Sequence, residues 1–255
     1  CDAGGLKRRA MKICILENDV YDPGMAPHLQ RLADSFENLF RQAGADWHFD
    51  AFNAMQGHYP ASFDGYDAVL LTGSRADAWS DEPWVVALRR QVAALLAQRK
   101  KLIGVCFGHQ LLGVVLGARV GRAPQGWGAG RMAYRVMSPW EAPLAMGEDG
   151  PQAEDLALLA SHQDQVLELP AGARLFASSD FCPVAGFAVG DHVFSIQPHP
   201  EMDEIVLGKL LDKRRAVLGE DRYAAGKQSL EQPHDGVAVA RMMVAFVEGF
   251  GVPPA

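Results

Sequence analysis

The sequence has no excess of basic residues and no long apolar run. Its 24 Lys and Arg residues are outnumbered by 31 Asp and Glu residues, which gives a net charge of −7. Nucleic acids and anionic membranes attract basic surfaces, so we expect neither as a partner. No apolar stretch reaches the roughly 20 residues needed to span a bilayer, and no signal-peptide pattern is found. We therefore expect a cytoplasmic protein.

Cysteine is also scarce. The four cysteines are far apart and form no CxxC pair: Cys1, Cys14, Cys106 and Cys182. Neither a zinc site nor a redox pair is predicted, and free thiols are expected in a reducing cytosol. We expect no metal and no cofactor.

Length and composition indicate one globular domain. The chain has 255 residues, of which 49% are hydrophobic, and single α/β domains often reach about 200–250 residues. Residues 1–10, CDAGGLKRRA, have no helix or strand period, and we expect them to be a disordered or engineered tail. The single domain is expected over 11–250.

The first half alternates short apolar runs with helical periods. Strands are predicted over residues 12–17, 47–52, 67–73 and 101–105, and helices over 28–42, 83–98 and 107–116. Strands that alternate with helices pair in parallel through helical crossovers, which predicts a doubly wound, mostly parallel α/β sheet flanked by helices.

The second half changes character. Short strands between residues 119 and 198 predict an additional small antiparallel region. Two helices are predicted near 204–218 and 237–250, and exposed loops over 149–154 and 226–235. The methionine pair Met242 and Met243 is interpreted as core packing.

A cysteine between two glycines stands where the strand over 101–105 meets the next helix. In GVCFG the pattern is G-x-Cys-x-G around Cys106, and flanking glycines allow a nucleophile to sit on a tight strand-to-helix turn. Such a side chain projects from the carboxyl edge of the sheet, where the helix N-terminus favours a thiolate and the Phe107 amide can stabilise an oxyanion. The alternative is that Cys106 is a buried small hydrophobe and the glycines only permit packing.

A base and an orienting acid follow another predicted strand. SIQPHPEM places His199 and Glu201 two residues apart after an apolar strand, so both should reach the rim that carries Cys106. Residues two apart in extended backbone point the same way, and a thiol nucleophile needs such a pair. Glu201 can then hold the imidazole of His199 toward the cysteine.

Together, GVCFGHQLLG and QPHPE resemble the glutaminase domain of class I glutamine amidotransferases. LLTGSRADAW resembles the oxyanion loop of that family, and GRAPQGWGAG and SHQDQVLELP resemble its stand-alone branch, similar to GMP synthase. The resemblance runs over residues 11–202, followed by a helical region over 203–250. It implies a flavodoxin-like fold.

The resemblance also implies site residues. Cys106 would be the nucleophile, His199 the proton carrier and Glu201 its orienting carboxylate, with backbone amides at Gly73 and Phe107 forming the oxyanion hole. Substrate-binding positions would be Gln110, Ser74, His162, Gln163 and Asp164. The alternatives are a solvent-facing helix amide for Gln110 and a polar strand-end turn for residues 162–164. Arg75 either reads a substrate carboxylate or caps the loop.

Three functions remain open from the sequence. The first is hydrolysis of the side-chain amide of glutamine, or of a γ-glutamyl amide, through a cysteine thioester. The second is a glutaminase subunit that delivers ammonia to a separate synthetase, since no GxxxxGK(S/T) loop is found in the sequence. The third is a catalytically idle binding or regulatory module, against which the intact Cys106, His199 and Glu201 set argues.

Overall fold

The computed structural model of the protein describes residues 10–137 and 155–249. Within these ranges the strands are β1 (Lys12–Glu17), β2 (His48–Asn53), β3 (Ala68–Leu71), β4 (Lys101–Val105), β5 (Val120–Arg122), β6 (Gly128–Val136), β7 (Asp155–His162), β8 (Asp164–Val166), β9 (Arg174–Ser178), β10 (Gly186–Val189) and β11 (Val193–Ile196). The α-helices are α1 (Leu32–Gln42), α2 (Pro83–Ala97), α3 (Phe107–Val115), α4 (Glu204–Leu218), α5 (Glu220–Ser229) and α6 (Gly236–Glu248). Among the described residues, no helix has the length and apolar character needed to cross a bilayer. The predicted loop over 149–154, residue 250 and residues 1–9 of the predicted tail lie outside the described ranges.

One nine-stranded sheet organises the fold, in the order β2-β1-β3-β4-β11-β10-β9-β6-β7. Strands β2, β1, β3, β4 and β11 are parallel to one another. From β11 onward, β10, β9, β6 and β7 pair antiparallel, while β5 and β8 form a separate antiparallel pair. The predicted doubly wound α/β fold with antiparallel strands in its second half is confirmed, and most of those strands extend the central sheet.

Both faces of the inner parallel strands β1, β3, β4 and β11 are buried, which explains their nearly continuous apolar sequences. In β1, Ile13 and Ile15 pack into one apolar cluster, while Cys14 and Leu16 pack into another. Successive side chains of a strand point to opposite faces, so the sheet separates the two clusters. Helices α1 and α6 cover the first face, and α2 and α3 cover the second. Met242 and Met243 of α6 are fully buried in the first cluster, as interpreted from the sequence.

Two predicted boundaries are wrong. Helix α1 begins at Leu32 and not at residue 28, because the carboxylate of Asp34 accepts hydrogen bonds at 2.9 Å from the backbone N–H groups of both residues before the helix. The predicted loop over 226–235 is helical as far as Ser229, where α5 ends. The sequence does not predict α5, because its mostly polar residues carry no apolar stripe.

The carboxyl ends of four neighbouring parallel strands meet at one edge of the sheet. Asn18 follows β1, Thr72 follows β3, Cys106 follows β4 and Gln197 follows β11. All four residues are buried. Open α/β sheets bind ligands outside the carboxyl ends of their strands, so this edge is where a site is expected.

Candidate active site

The two motifs singled out in the sequence meet at this edge. Strands β4 and β11 are parallel neighbours, and the Cys106 amide donates a 3.0 Å hydrogen bond to the Ile196 carbonyl at the end of β11. The His199 amide donates at 2.8 Å to the Leu159 carbonyl of β7. Cys106, His199 and Glu201 border the same cavity. The fold therefore brings together residues that are 93 positions apart in the sequence.

Cys106 occupies a strained turn that its neighbours make possible. Its backbone has φ 52° and ψ −103°, a conformation that L-residues rarely adopt. A Cβ atom at Gly104 would come within 2.7 Å of the Gly108 carbonyl oxygen, and one at Gly108 within 2.4 Å of the Leu71 carbonyl oxygen. Both glycines are thus required by close backbone approach. Cys106 is only 6% exposed, but it borders two cavities, which a thiol enclosed by the core would not do.

His199 and Glu201 form a buried pair. The Nδ1 atom of His199 lies 2.7 Å from Oε1 of Glu201, and each side chain is 8% exposed. Burial alone would lower the pKa of His199, but the Glu201 carboxylate and the Cys106 side chain outweigh it and raise that pKa from 6.5 to about 10. With Nδ1 engaged by Glu201, Nε2 is the nitrogen left to face Cys106. His199 therefore holds a proton at neutral pH.

The loop after β3 lies against the histidine. Asn18 anchors it, because the Asn18 amide donates to Thr72 Oγ1 at 2.9 Å and its Nδ2 donates to the Thr72 carbonyl at 3.0 Å. A Cβ at Gly73 would lie 3.0 Å from Cε1 of His199. Among the described residues, neither the Gly73 amide nor the Phe107 amide has a hydrogen-bond acceptor. Both amides are thus available to an oxygen atom bound beside Cys106.

Arg75 caps this loop. Its backbone N–H donates to Asp19 Oδ2 at 2.8 Å, its Nε lies 3.0 Å from the same oxygen, and its Nη1 lies 3.0 Å from Asp22 Oδ1. Of the two alternatives that the sequence left open, the structure favours the loop cap. Ser74 lines both cavities, and its Oγ accepts a hydrogen bond from the Ala76 amide at 3.1 Å.

A small cavity of about 60 Å³ lies beside Cys106 and contains the other predicted substrate positions. Gln110 lines it and is 4% exposed, so the reading as a solvent-facing amide is wrong. The Gln110 Nε2 donates to the Asp164 carbonyl at 2.9 Å and to Gln197 Oε1 at 3.2 Å. These bonds fix the side-chain amide next to the thiol.

His162, Gln163 and Asp164 lie at a tight connection between β7 and β8, which fits the strand-end turn, and they also line the small cavity. Their role in binding substrate stays a prediction. His162 is fully buried, which lowers its pKa to about 4 and keeps it neutral. Burial also raises the pKa of Asp164. Its two carboxylate oxygens accept hydrogen bonds from Arg122 at 2.6 Å and Trp79 at 2.9 Å, two partners that the sequence did not indicate.

A larger cavity of about 380 Å³ opens on the thiol from another side. Four of the residues that line this cavity with polar atoms were not indicated by the sequence: Tyr21, Trp127, Ser161 and Arg214. These residues lie on four different segments, and no local pattern marks them as neighbours. Only the packing of α4 against the sheet places Arg214 there.

The remaining buried thiols and one buried histidine have structural roles. Burial raises the pKa of Cys14 and that of Cys182 to about 12 each, so both stay protonated. Burial lowers the pKa of His109 to about 3, and its ring nitrogens lie 2.6 Å from Ser195 Oγ and 3.1 Å from the Val184 carbonyl. His109 thus ties α3 to β11 as a neutral ring. Among the described residues, no cluster of three His, Cys, Asp or Glu side chains is arranged to hold a metal ion.

Comparisons with known proteins bear on the family of the chain. The family model for glutamine amidotransferase class I matches residues 37–211. Gamma-glutamyl peptidase 3 of Arabidopsis thaliana is 37% identical over 220 residues, which cover 84% of this chain and 87% of that protein. A GMP synthase of Bordetella avium is 30% identical over 159 residues, which cover 61% of this chain and 29% of that protein. A glutamine amidotransferase of Thermotoga maritima has a similar fold, with a TM-score of 0.72, 19% identity, and 94% of this chain and 98% of that chain covered. The chain belongs to the class I glutamine amidotransferase family.

Proposed function

We propose that the protein hydrolyses γ-glutamyl amides and releases glutamate and an amine. The observation that carries this proposal is the cavity of about 380 Å³ that borders Cys106, His199 and Glu201. Ammonia leaving from glutamine needs far less room, so the cavity favours a larger leaving amine. The similarity to a protein named gamma-glutamyl peptidase supports the same class of substrate.

In the acylation half-reaction, Sγ of Cys106 attacks the γ-carbonyl carbon and the carbonyl electron pair moves onto oxygen. The free amides of Gly73 and Phe107 donate to this oxyanion, and one such donor typically lowers the barrier by about 3–4 kcal/mol. The C–N bond then breaks while His199 donates its proton to the leaving nitrogen. The amine leaves and a γ-glutamyl thioester remains on Cys106.

In the deacylation half-reaction, His199 takes a proton from a water molecule that attacks the thioester carbon. The C–S bond breaks, the sulfur of Cys106 leaves, and glutamate is released. Glu201 keeps the imidazole oriented and balances its positive charge in both halves. The sum is one γ-glutamyl amide and one water giving glutamate and one amine, with the enzyme unchanged.

Gln110 and the segment over 162–164 are the proposed walls for the glutamyl part. They line the small cavity beside the thiol, while Gln110 does not line the larger one. The nucleophile thus stands between a smaller and a larger space. This is the arrangement that an acyl group on one side of the scissile bond and an amine on the other require.

Ammonia supply to a separate synthetase is the second candidate. It is favoured by the similarity to a GMP synthase, of which only 29% of the length matches this chain. That function requires turnover of glutamine and a rate that rises when the partner is added. The idle-module hypothesis has less support, since the intact nucleophile, base and carboxylate border one cavity.

A substrate panel tests the proposal. Glutamine, glutathione and several γ-glutamyl amines are incubated with the protein and with its Cys106→Ala variant, and glutamate release is measured. We expect the wild type to turn over the larger γ-glutamyl amides faster than glutamine, and the variant to be silent. Activity on glutamine alone would support the ammonia-supplying function, and wild-type silence on every substrate would refute the hydrolase.

A further inference from the structure

The larger cavity is lined by a group of apolar side chains and by the guanidinium of Arg214. Its apolar side chains come from two loops and helices α1 and α4: Met25, Leu32, Phe36, Met202, Val206 and Leu210. Arg214 of α4 borders both this cavity and the smaller one. It lies three residues beyond the stretch matched by the family model, so the family resemblance of the sequence gives it no role.

Arg214 is held rigidly at this position. Its guanidinium stacks 4.8 Å from the ring centroid of Trp127 and donates a hydrogen bond to the Ser161 hydroxyl. Both partners line the two cavities as well. The stacking restricts the planar group to one orientation, which lowers the entropy lost when it binds a ligand.

Arg214 forms no ion pair with any carboxylate of the described residues. The two other basic side chains of the cavity differ in this respect, because Arg75 is paired with Asp19 and Lys213 with Asp22. Burial lowers the pKa of Arg214, and the nearby Cys106 and Asp19 offset this only in part, as expected for a cation that has lost water without forming a direct ion pair. The group is therefore poised for an anionic ligand.

We propose that Arg214 binds the free carboxylate of the leaving amine, so that the leaving group is an amino acid or peptide with an apolar side chain. This inference rests on the proposed hydrolase function and assigns its specificity. A planar guanidinium binds a carboxylate through two parallel hydrogen bonds. The apolar wall receives the side chain, and the glutamyl part occupies the small cavity.

The test compares two substrates that differ only in this carboxylate: γ-glutamyl-leucine and γ-glutamyl-leucinamide. In the Arg214→Gln variant we expect kcat/KM to fall about 10–100-fold for the carboxylate substrate, as expected for loss of a charge-assisted contact, and to change less than about twofold for the carboxamide. The ratio of the two values within one variant is unaffected by any loss of folded protein. Arg215→Gln is the matched control, because Arg215 is the next residue of α4 and is exposed and paired with Glu220.

Equal losses on both substrates in Arg214→Gln would overturn the inference, because Arg214 would then serve the glutamyl part or the fold. No loss on either substrate would also overturn it. A second measurement needs no turnover. Calorimetry measures the affinity of both compounds for Cys106→Ala and for the Cys106→Ala/Arg214→Gln double variant. If the double variant loses affinity for γ-glutamyl-leucine but not for γ-glutamyl-leucinamide, the inference about Arg214 is supported. Should the wild type hydrolyse neither compound, that failure would count against the proposed hydrolase function and not against the role of Arg214 in binding.

Discussion

The Nδ1 atom of His199 lies 2.7 Å from the Oε1 atom of Glu201, and both side chains are almost completely buried. The carboxylate and the neighbouring cysteine overcome the effect of burial and raise the pKa of His199 to about 10. A raised pKa means that the bound proton stabilises the folded state. This contribution is complete below the ordinary value of 6.5 and is lost as the pH rises through about 10.

Replacing Glu201 with Gln should move the alkaline limb of activity. Without the carboxylate, only Cys106 still opposes the effect of burial, so the pKa of His199 falls and the proton needed by the leaving amine is lost at lower pH. The expected result is a kcat/KM profile whose alkaline limb lies near pH 10 in the wild type and well below that in Glu201→Gln. Glu204→Gln removes an exposed carboxylate of α4 and should leave the limb in place. An unshifted limb in Glu201→Gln would contradict the role of the pair.

Replacing Gly73 with Ala should impair catalysis more than folding. The added Cβ would lie 3.0 Å from Cε1 of His199 and 3.7 Å from Cβ of Cys106, so the imidazole must shift. A displacement of a fraction of an ångström to one ångström at reacting groups costs about 10–100-fold in rate. We expect a loss of that size in kcat with a nearly unchanged thermal midpoint. Gly65→Ala, where no atom lies within 4 Å of the new Cβ, is the control. Full activity in Gly73→Ala would show that this loop does not constrain the base.

Replacing Gly108 with Ala should destabilise the fold. Alanine in a helix is favoured over glycine by about 0.5–1 kcal/mol, but the new Cβ would approach the Leu71 carbonyl oxygen to 2.4 Å. A backbone atom of a central strand cannot move aside, so the overpacking cost of about 1–3 kcal/mol prevails. Gly208→Ala is the matched control in α4, where the nearest atom is the end of a flexible lysine at 3.5 Å, and it should be neutral or stabilising. Denaturant unfolding measures both, and equal stability of the two variants would contradict the close approach at Gly108.

A glutamine-like alkylating agent should modify Cys106 selectively. Cys106 borders both cavities, whereas burial raises the pKa of Cys14 and of Cys182 to about 12. Only a thiolate reacts rapidly, so peptide mapping should find the label on the Cys106 peptide. Labelling of Cys182 at a comparable rate would show that burial does not protect that thiol.

The parallel half of the fold and the catalytic motifs could be predicted from the sequence because both depend on local signals. Buried strands appear as apolar runs. The glycines of the G-x-Cys-x-G pattern are required because the backbone approaches Gly104 and Gly108 too closely for a Cβ atom. The His199 and Glu201 spacing is likewise local, since residues two apart share a face. The position of the site then follows from parallel strand topology.

The remaining features depend on contacts between distant segments. Whether Arg75 caps its loop or faces a substrate is decided by Asp19, two residues beyond β1. The reach of Arg214 into the cavity depends on how α4 packs against β7, which no periodicity encodes. Helix α5 could not be predicted from the sequence, because it is stabilised by packing against α4 and β6 and not by an amphipathic pattern.

The central claim is that Cys106 is the nucleophile of γ-glutamyl amide hydrolysis. The most direct test measures glutamate release from a γ-glutamyl peptide by the wild type, Cys106→Ala and the control Cys182→Ala, at equal folded fractions. The account predicts a loss of at least about 10⁴-fold in Cys106→Ala and retained activity in Cys182→Ala. Glutamate release by Cys106→Ala at the wild-type rate would contradict it.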